Sequence, residues 1–254
     1  MILTIDIGNT NIVFGCIDNE NILFVERTST EHTLSSEEYA AGLNDILVTG
    51  NMDLNEIDGS IISSVVPRLT SIIKEAVTMI TNTTPLIASI ELKTGLNLLV
   101  QNPSQVGNDR IVDAVSAIYY YRKPVIIIDM GTATTVSVVD EDSNFLGGMI
   151  MLGVKSSLEA LSSKTAQLPS IDLRESRDII GKNTIECMLS GAIHGHAAMV
   201  DGIIYRLRKQ LSPNVSVIAT GGMSQAIVPH CEEEIIYDEH LLLKGLYLLY
   251  MKNN

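Results

Sequence analysis

The amino-acid sequence predicts an α/β protein built from two duplicated halves. Three observations carry this expectation. Apolar runs of strand length alternate with segments of helical period from one end of the 254-residue chain to the other. The opening pattern Ile2-Leu3-Thr4-Ile5-Asp6-Ile7-Gly8-Asn9 returns as Val125-Ile126-Ile127-Ile128-Asp129-Met130-Gly131-Thr132, at a constant offset of 123 residues. Hydrophobic residues make up 46% of the chain against 19% charged, which supplies a packed core and argues against intrinsic disorder. The expected domains are residues 1–119 and 120–254.

The elements follow in order. Ile2 to Ile5 and Ile12 to Ile17 read as two strands of a hairpin, joined by the polar turn Asp6-Ile7-Gly8-Asn9-Thr10-Asn11. Ser35-Ser36-Glu37-Glu38 reads as a capping box opening a helix that runs to about Val48. Ile61-Ile62 begins the next strand. After Pro67, the apolar positions Leu69, Ile72, Ile73, Ala76, Val77 and Ile80 fall on one face of a helix. From Gly107 a helix runs to about Tyr121, stopped by Lys123-Pro124. The second half opens with the repeated strand and a second β-rich run. It continues with a long helix from about Asn183 to Leu211, a strand Val215 to Ala219 ending in Thr220-Gly221-Gly222, and a C-terminal helix from about Glu239.

Composition removes several function classes. With 17 Lys+Arg against 30 Asp+Glu the formal charge is −13, a surface that repels phosphate backbones. There is no Trp and only 4% aromatic residues to stack on bases, so no nucleic-acid partner is expected. The longest apolar runs, such as Val125 to Ile128, fall far short of the roughly 20 residues of a membrane span. The N-terminus starts on a strand, without the basic stretch and cleavage site of a secretory signal. A cytoplasmic protein with no membrane partner is therefore expected. Cys16, Cys187 and Cys231 have no CxxC spacing and read as reduced, mostly buried thiols. His194 and His196, two apart on a helix, point in nearly opposite directions and do not form a ligand pair. His230 beside Cys231 reads as coincidence.

The chemistry concentrates at the repeated pattern. An Asp at the end of a buried strand, followed by Gly in a turn, places a carboxylate beside free backbone N–H groups. Turn amides suit polyphosphate oxygens, and the carboxylate suits a cation or its waters. A single Asp-x-Gly is an ordinary turn. Two copies, each opening one half of a duplicated chain, favour a ligand role for Asp6 and Asp129. Thr220-Gly221-Gly222, after a strand, is a third place where backbone approaches a ligand closely, or a simple strand-to-helix turn.

These paired hairpins and the late Thr-Gly-Gly resemble the actin, sugar-kinase and heat-shock-ATPase superfamily, in which two ribonuclease-H-like halves close on ATP. Within it, the chain is similar to type III pantothenate kinase along nearly its whole length. The residues that carry the resemblance are Asp6-Ile7-Gly8-Asn9-Thr10, Gly107-Asn108-Asp109-Arg110 and Asp129-Met130-Gly131-Thr132-Ala133-Thr134. Gly147-Gly148, Thr165-Ala166-Gln167-Leu168-Pro169, Gly181-Lys182-Asn183-Thr184 and Val200-Asp201-Gly202 follow in the family's order.

The resemblance implies a fold of two ribonuclease-H-like domains with an ATP cleft between them, and ATP-dependent phosphorylation of the primary hydroxyl of pantothenate, the first step towards coenzyme A. It implies that Asp6, Ile7, Gly8, Asn9, Thr10, Asn11, Ile12 and Val13 line the ATP phosphates, with Asp6 near Mg²⁺ and Thr132 contacting ATP. Asp129 is then the ligand of a monovalent cation, K⁺ or NH₄⁺. Gly107, Asn108, Asp109 and Arg110 bind pantothenate, with Asp109 as the proton acceptor. Thr184 completes that pocket from the other subunit of a homodimer. Read without the family, Asp109 is a helix-start residue, Arg110 a solvated charge and Lys182 a surface lysine. The chain departs from the family pattern at Val100, where a Tyr that covers pantothenate is usual, and at Leu152, where Pro is usual. Val100 leaves a kinase for another small hydroxy acid or sugar as one alternative. A non-catalytic nucleotide-binding regulator is a second, and an actin-like filament a third.

Overall fold

The computed structural model describes residues 1–174 and 178–254. They form two compact units. The first comprises Met1–Leu96, Gln101–Tyr119 and His240–Asn254, the second Asn97–Val100 and Tyr120–Glu239. The chain passes between the two units after Leu96, Val100, Tyr119 and Glu239. The C-terminal helix and the short Asn97–Val100 segment differ from the expected division, each belonging with the other half's sheet.

The first unit holds strands β1 (Ile2–Ile7), β2 (Asn11–Asp18), β3 (Asn21–Ser29), β4 (Gly59–Ser64) and β5 (Leu86–Ile87) in the order β3-β2-β1-β4-β5. β1 is antiparallel to β2, β2 to β3, while β4 runs parallel to β1 and β5 parallel to β4. Alternation along β1 sends Leu3, Ile5 and Ile7 into an apolar core with helices α1 (Ser36–Thr49) and α2 (Pro67–Thr81). The capping box at α1 is formed: the Ser35 hydroxyl accepts from the Glu38 N–H, and the Glu38 carboxylate from the Ser35 N–H. In α2 the predicted face is buried at Leu69, Ile73, Ala76 and Val77. Thr4 and Asp6 point to the opposite face of the sheet. Helix α7 (Leu241–Asn253) covers part of that face, and α3 (Asn108–Tyr120) packs against α7. Gly15 and Gly59 lack a Cβ where Leu243 and Tyr250 of α7 press on the strands.

The second unit repeats this plan. Strands β7 (Val125–Met130), β8 (Ala133–Val139), β9 (Asn144–Leu152), β10 (Ser216–Thr220) and β11 (Ile236–Tyr237) lie in the order β11-β10-β7-β8-β9, with β6 (Asn97–Leu98) added beside β9. β7 is antiparallel to β8 and parallel to β10, matching β1 with β2 and β4. β1 and β7 share one burial pattern, five fully buried positions around a half-buried Asp. Ile126, Ile128 and Met130 pack with α4 (Val154–Lys164) and α5 (Thr184–Gln210) around one core, which α6 (Ser224–Ile227) joins through Ile227. The 123-residue repeat is therefore a repeat of topology. Both units carry the three antiparallel and two parallel strands of a ribonuclease-H-like sheet.

Candidate functional site

In the first unit the ends of β1 and β2 build a tight turn. Asp6 and Ile7 belong to β1 and Asn11 to β2, so the loop is only Gly8-Asn9-Thr10, shorter than the sequence predicts. The polar sequence is drawn into the ladder, with Asp6 opposite Val13 and Ile7 opposite Ile12. The Gly8 N–H donates to the Asn11 carbonyl at 2.9 Å. Thr30, just past β3, donates its hydroxyl to the Gly8 carbonyl at 2.8 Å and its N–H to the Thr10 carbonyl at 3.0 Å, which fixes the turn from the side. Asn9 and Thr10 are exposed, and Asp6 is half-buried opposite Val13. Ile7 and Ile12 are fully buried in the core, so only their backbone is offered to a ligand.

The Gly107-Asn108-Asp109-Arg110 segment opens α3, with all four residues half-buried. The Asp109 Oδ1 accepts the Arg110 N–H at 2.8 Å. It folds back over Gly107 so closely that a Cβ there would overlap it. Burial pulls the Arg110 guanidinium below its ordinary value, and the Asp109 carboxylate beside it opposes that shift. The helix-start reading of Asp109 therefore holds locally, while the half-buried carboxylate keeps its second oxygen for other chemistry.

In the second unit Asp129 ends β7 between Thr135 on β8 and Thr220 on β10. Past Thr220 the chain turns at Gly221 with φ +87°, and a Cβ at Gly221 would overlap Asp129 Oδ1. The Met223 N–H then donates to the Met130 carbonyl at 3.0 Å. Thr220-Gly221-Gly222 thus wraps the Asp129 turn. This hairpin is one residue shorter than the first: Asp129 pairs with Thr135, whereas Asp6 pairs with Val13. Thr132 is exposed at its tip, and its carbonyl accepts the Gly153 N–H at 3.2 Å and the Ser156 hydroxyl at 2.9 Å from the start of α4.

Thr184 is the first residue of α5, exposed, behind an Asn183 cap whose side chain accepts the Glu186 N–H at 3.0 Å. It borders a groove of about 730 Å³ lined by Leu158, Leu161, Leu168, Lys182 and Met188 among others. Val100 is half-buried beside Gly147, whose φ of +111° brings the β9 backbone against it. Cys16 is buried and Cys231 half-buried, but Cys187 is exposed, because it lies on the open side of the first turn of α5. This corrects the expectation of mostly buried thiols. His194 and His230 stack edge to face at 4.8 Å between ring centroids, a pair that residue spacing does not reveal.

The donors at both aspartates are oxygen only, which suits hard cations. Among the described residues no three His, Cys, Asp or Glu gather as a metal cluster. A cation at Asp6 or Asp129 would accordingly have one carboxylate ligand and complete its shell with backbone, phosphate and water oxygens, the usual habit of nucleotide-bound Mg²⁺. The missing Cβ at Gly221 is what lets the Asp129 carboxylate lie against that turn.

The family model for type III pantothenate kinase matches residues 2–206. A type III pantothenate kinase of Exiguobacterium is 41% identical over 253 residues, covering 100% of this chain and 99% of that protein. The chain belongs to the type III pantothenate kinase family. Type III pantothenate kinases from Halalkalibacterium halodurans and Listeria monocytogenes are 39% and 40% identical, again over 100% of this chain. Solved structures with the same fold include the activator of 2-hydroxyisocaproyl-CoA dehydratase from Clostridium difficile with bound ADPNP, with TM-score 0.56, 14% identity and 98% of this chain and 93% of that chain covered. Component A of the (R)-2-hydroxyglutaryl-CoA dehydratase of Acidaminococcus fermentans aligns at TM-score 0.57 with 14% identity, covering 98% of this chain and 96% of that chain. These two solved structures share the duplicated fold described above.

Proposed function

We propose that this chain phosphorylates the primary hydroxyl of pantothenate with ATP, the first step towards coenzyme A. The observation that carries the reading is family membership over the full chain, together with Asp6, Asp109 and Asp129 standing at a strand end, a helix start and a second strand end. The turn Gly8-Asn9-Thr10, with the flanking Asp6, Ile7, Asn11, Ile12 and Val13, receives the ATP phosphates through backbone and polar groups, and Thr132 contacts the nucleotide from the second hairpin. A divalent cation at Asp6 and K⁺ or NH₄⁺ at Asp129, when bound, supply charge neutralisation. Gly107, Asn108 and Arg110 orient pantothenate, with the Arg110 guanidinium pairing its carboxylate. Asp109 accepts the proton of the attacking hydroxyl. Positioning and electrostatics provide most of the acceleration, because phosphoryl transfer passes through a loose transition state.

The same reading makes the protein a cytoplasmic homodimer in which Thr184 reaches the partner's pantothenate site. What supports the dimer is apolar surface around the start of α5. Ile179 and Ile180 are 71% and 76% exposed and Ile185 37%, and the Ser190 hydroxyl ties the Ile179 carbonyl to that helix at 2.5 Å. Among the described residues no helix is long and apolar enough to cross a membrane.

The test is ADP release by purified protein with ATP, Mg²⁺ and K⁺, comparing pantothenate with a panel of small hydroxy acids and polyols. Pantothenate as the preferred acceptor is the expected result. A preferred acceptor of another class would transfer the specificity to the Val100 departure, and no ADP release with any acceptor would overturn the kinase reading.

A further inference from the structure

Strand β4 ends in two serines with opposite fates. The Ser64 hydroxyl is engaged at the start of α2: it accepts the Val66 N–H at 3.0 Å and lies 2.8 Å from the Thr70 hydroxyl. Ser63, one residue earlier and on the other face of the sheet, is fully buried, and its Oγ has no hydrogen-bond partner. Such an orphan is uncommon, since a buried hydroxyl without a partner loses its water without compensation. In the parallel pairing of β1 and β4, Ser63 is the register partner of Asp6. Residues in register on adjacent strands project to the same face, so the Ser63 hydroxyl stands beside the Asp6 carboxylate. The neighbour on that face, Thr4, already donates its hydroxyl to the Gly15 carbonyl at 3.0 Å.

The second unit repeats the pairing. Asp129 has Thr220 as its register partner on the parallel strand β10. Both strand-end aspartates of the duplicated fold therefore have a hydroxyl residue at the same lattice position, although the rest of the two strands shares no polar residue in register. β4 has Ser60 and β10 has Ser216, but these lie at different distances from the aspartate.

We propose that Ser63 is a positioning residue for Asp6. When nucleotide and its cation bind, the Ser63 hydroxyl donates to the Asp6 carboxylate and fixes its rotamer. The hydroxyl is stored without a partner in the free protein and becomes satisfied in the loaded one. Thr220 performs the same task for Asp129. This rests on the reading of Asp6 as the residue that faces the nucleotide's divalent cation.

The experiment compares wild type with Ser63→Ala and Asp6→Asn by calorimetric titration with a non-hydrolysable ATP analogue, in Mg²⁺ and in EDTA, alongside thermal melts of the free proteins. For Ser63→Ala the expected result is a loss of roughly 5- to 10-fold in affinity in Mg²⁺, little change in EDTA, and a melting temperature equal to or above wild type, because an orphan hydroxyl has been removed. A merely structural serine would give the reverse pattern, a lower melting temperature with Mg²⁺-dependent affinity intact. Should Ser63→Ala fail to fold, Ser63→Cys, near-isosteric with a weaker donor, carries the same comparison. If Asp6→Asn abolishes the Mg²⁺-dependent gain and the Ser63 variant retains it within twofold, the positioning role is overturned and the reading of Asp6 stands. If Asp6→Asn also retains it, the reading of Asp6 falls and this role falls with it.

Discussion

Asp129 Oδ1 occupies the place that a Cβ on Gly221 would take. The carboxylate at the end of β7 and the turn after β10 are built around the absence of one methyl group. Gly221→Ala meets two penalties, a residue with a Cβ at φ +87° and displacement of the Asp129 side chain. The conformational part alone is about 1–2 kcal/mol. The expected outcome is a melting temperature lower by several degrees, with activity down at least tenfold under saturating K⁺. A wild-type melt and rate would show that Asp129 does not depend on this turn.

Asp109→Asn separates proton acceptor from helix cap. The Asn side-chain oxygen can still accept the Arg110 N–H that Asp109 accepts now at 2.8 Å, so melting should change little. If Asp109 is the proton acceptor, kcat falls by roughly 10²- to 10⁴-fold, with ATP binding retained. The low end is favoured by a loose transition state. A variant that melts early yet keeps its kcat would make Asp109 structural.

The three thiols should separate by reactivity. Burial pushes Cys16 up to about 12, and burial with the nearby Asp201 does the same for Cys231, whereas Cys187 is exposed. Titration with a thiol reagent at pH 8 should show one fast group, lost in Cys187→Ser. Stability follows the same shifts. Their neutral thiols favour the folded state fully below about pH 9, where the unfolded thiols begin to ionise, and that contribution is lost as pH rises towards about 12. Melting temperature should therefore fall between pH 9 and 10.5, less steeply in Cys16→Ala. An unchanged slope in that variant would remove Cys16 from the alkaline transition.

Monovalent-cation dependence tests Asp129 from the other side. With −13 formal charge, the chain brings few cations of its own to ATP. Activity should drop at least tenfold in Tris buffer free of K⁺ and NH₄⁺, and Asp129→Asn should lose the response to K⁺. Full activity without either ion would exclude the cation from the mechanism.

Much of this was legible in the sequence because it is local. The capping box at Ser35 and Glu38, the buried face of α2 and the start of α5 near Asn183 each depend on residues within one or two helical turns. The duplication was legible because Asp6 and Asp129 share their flanking strands. The relationships that shape the site are not local. Gly221 against Asp129, Gly153 against the Thr132 carbonyl and Ser63 beside Asp6 join residues far apart in sequence, and each depends on strand register or close backbone approach. Strands β5, β6 and β11, two residues each, exist only through the neighbour they pair with. The exposure of Cys187 depends on which side of α5 is left open.

Helix α7 has a consequence for how the protein is made. Leu243 and Tyr250 close over Gly15 and Gly59 on β2 and β4, yet α7 leaves the ribosome long after both strands. At about 5–20 residues per second, roughly ten seconds or more separate the synthesis of β4 from that of α7. Throughout that interval the first sheet has one face without its cover. A nascent chain arrested before Leu241 is expected to engage chaperones and to be cleaved readily by proteases.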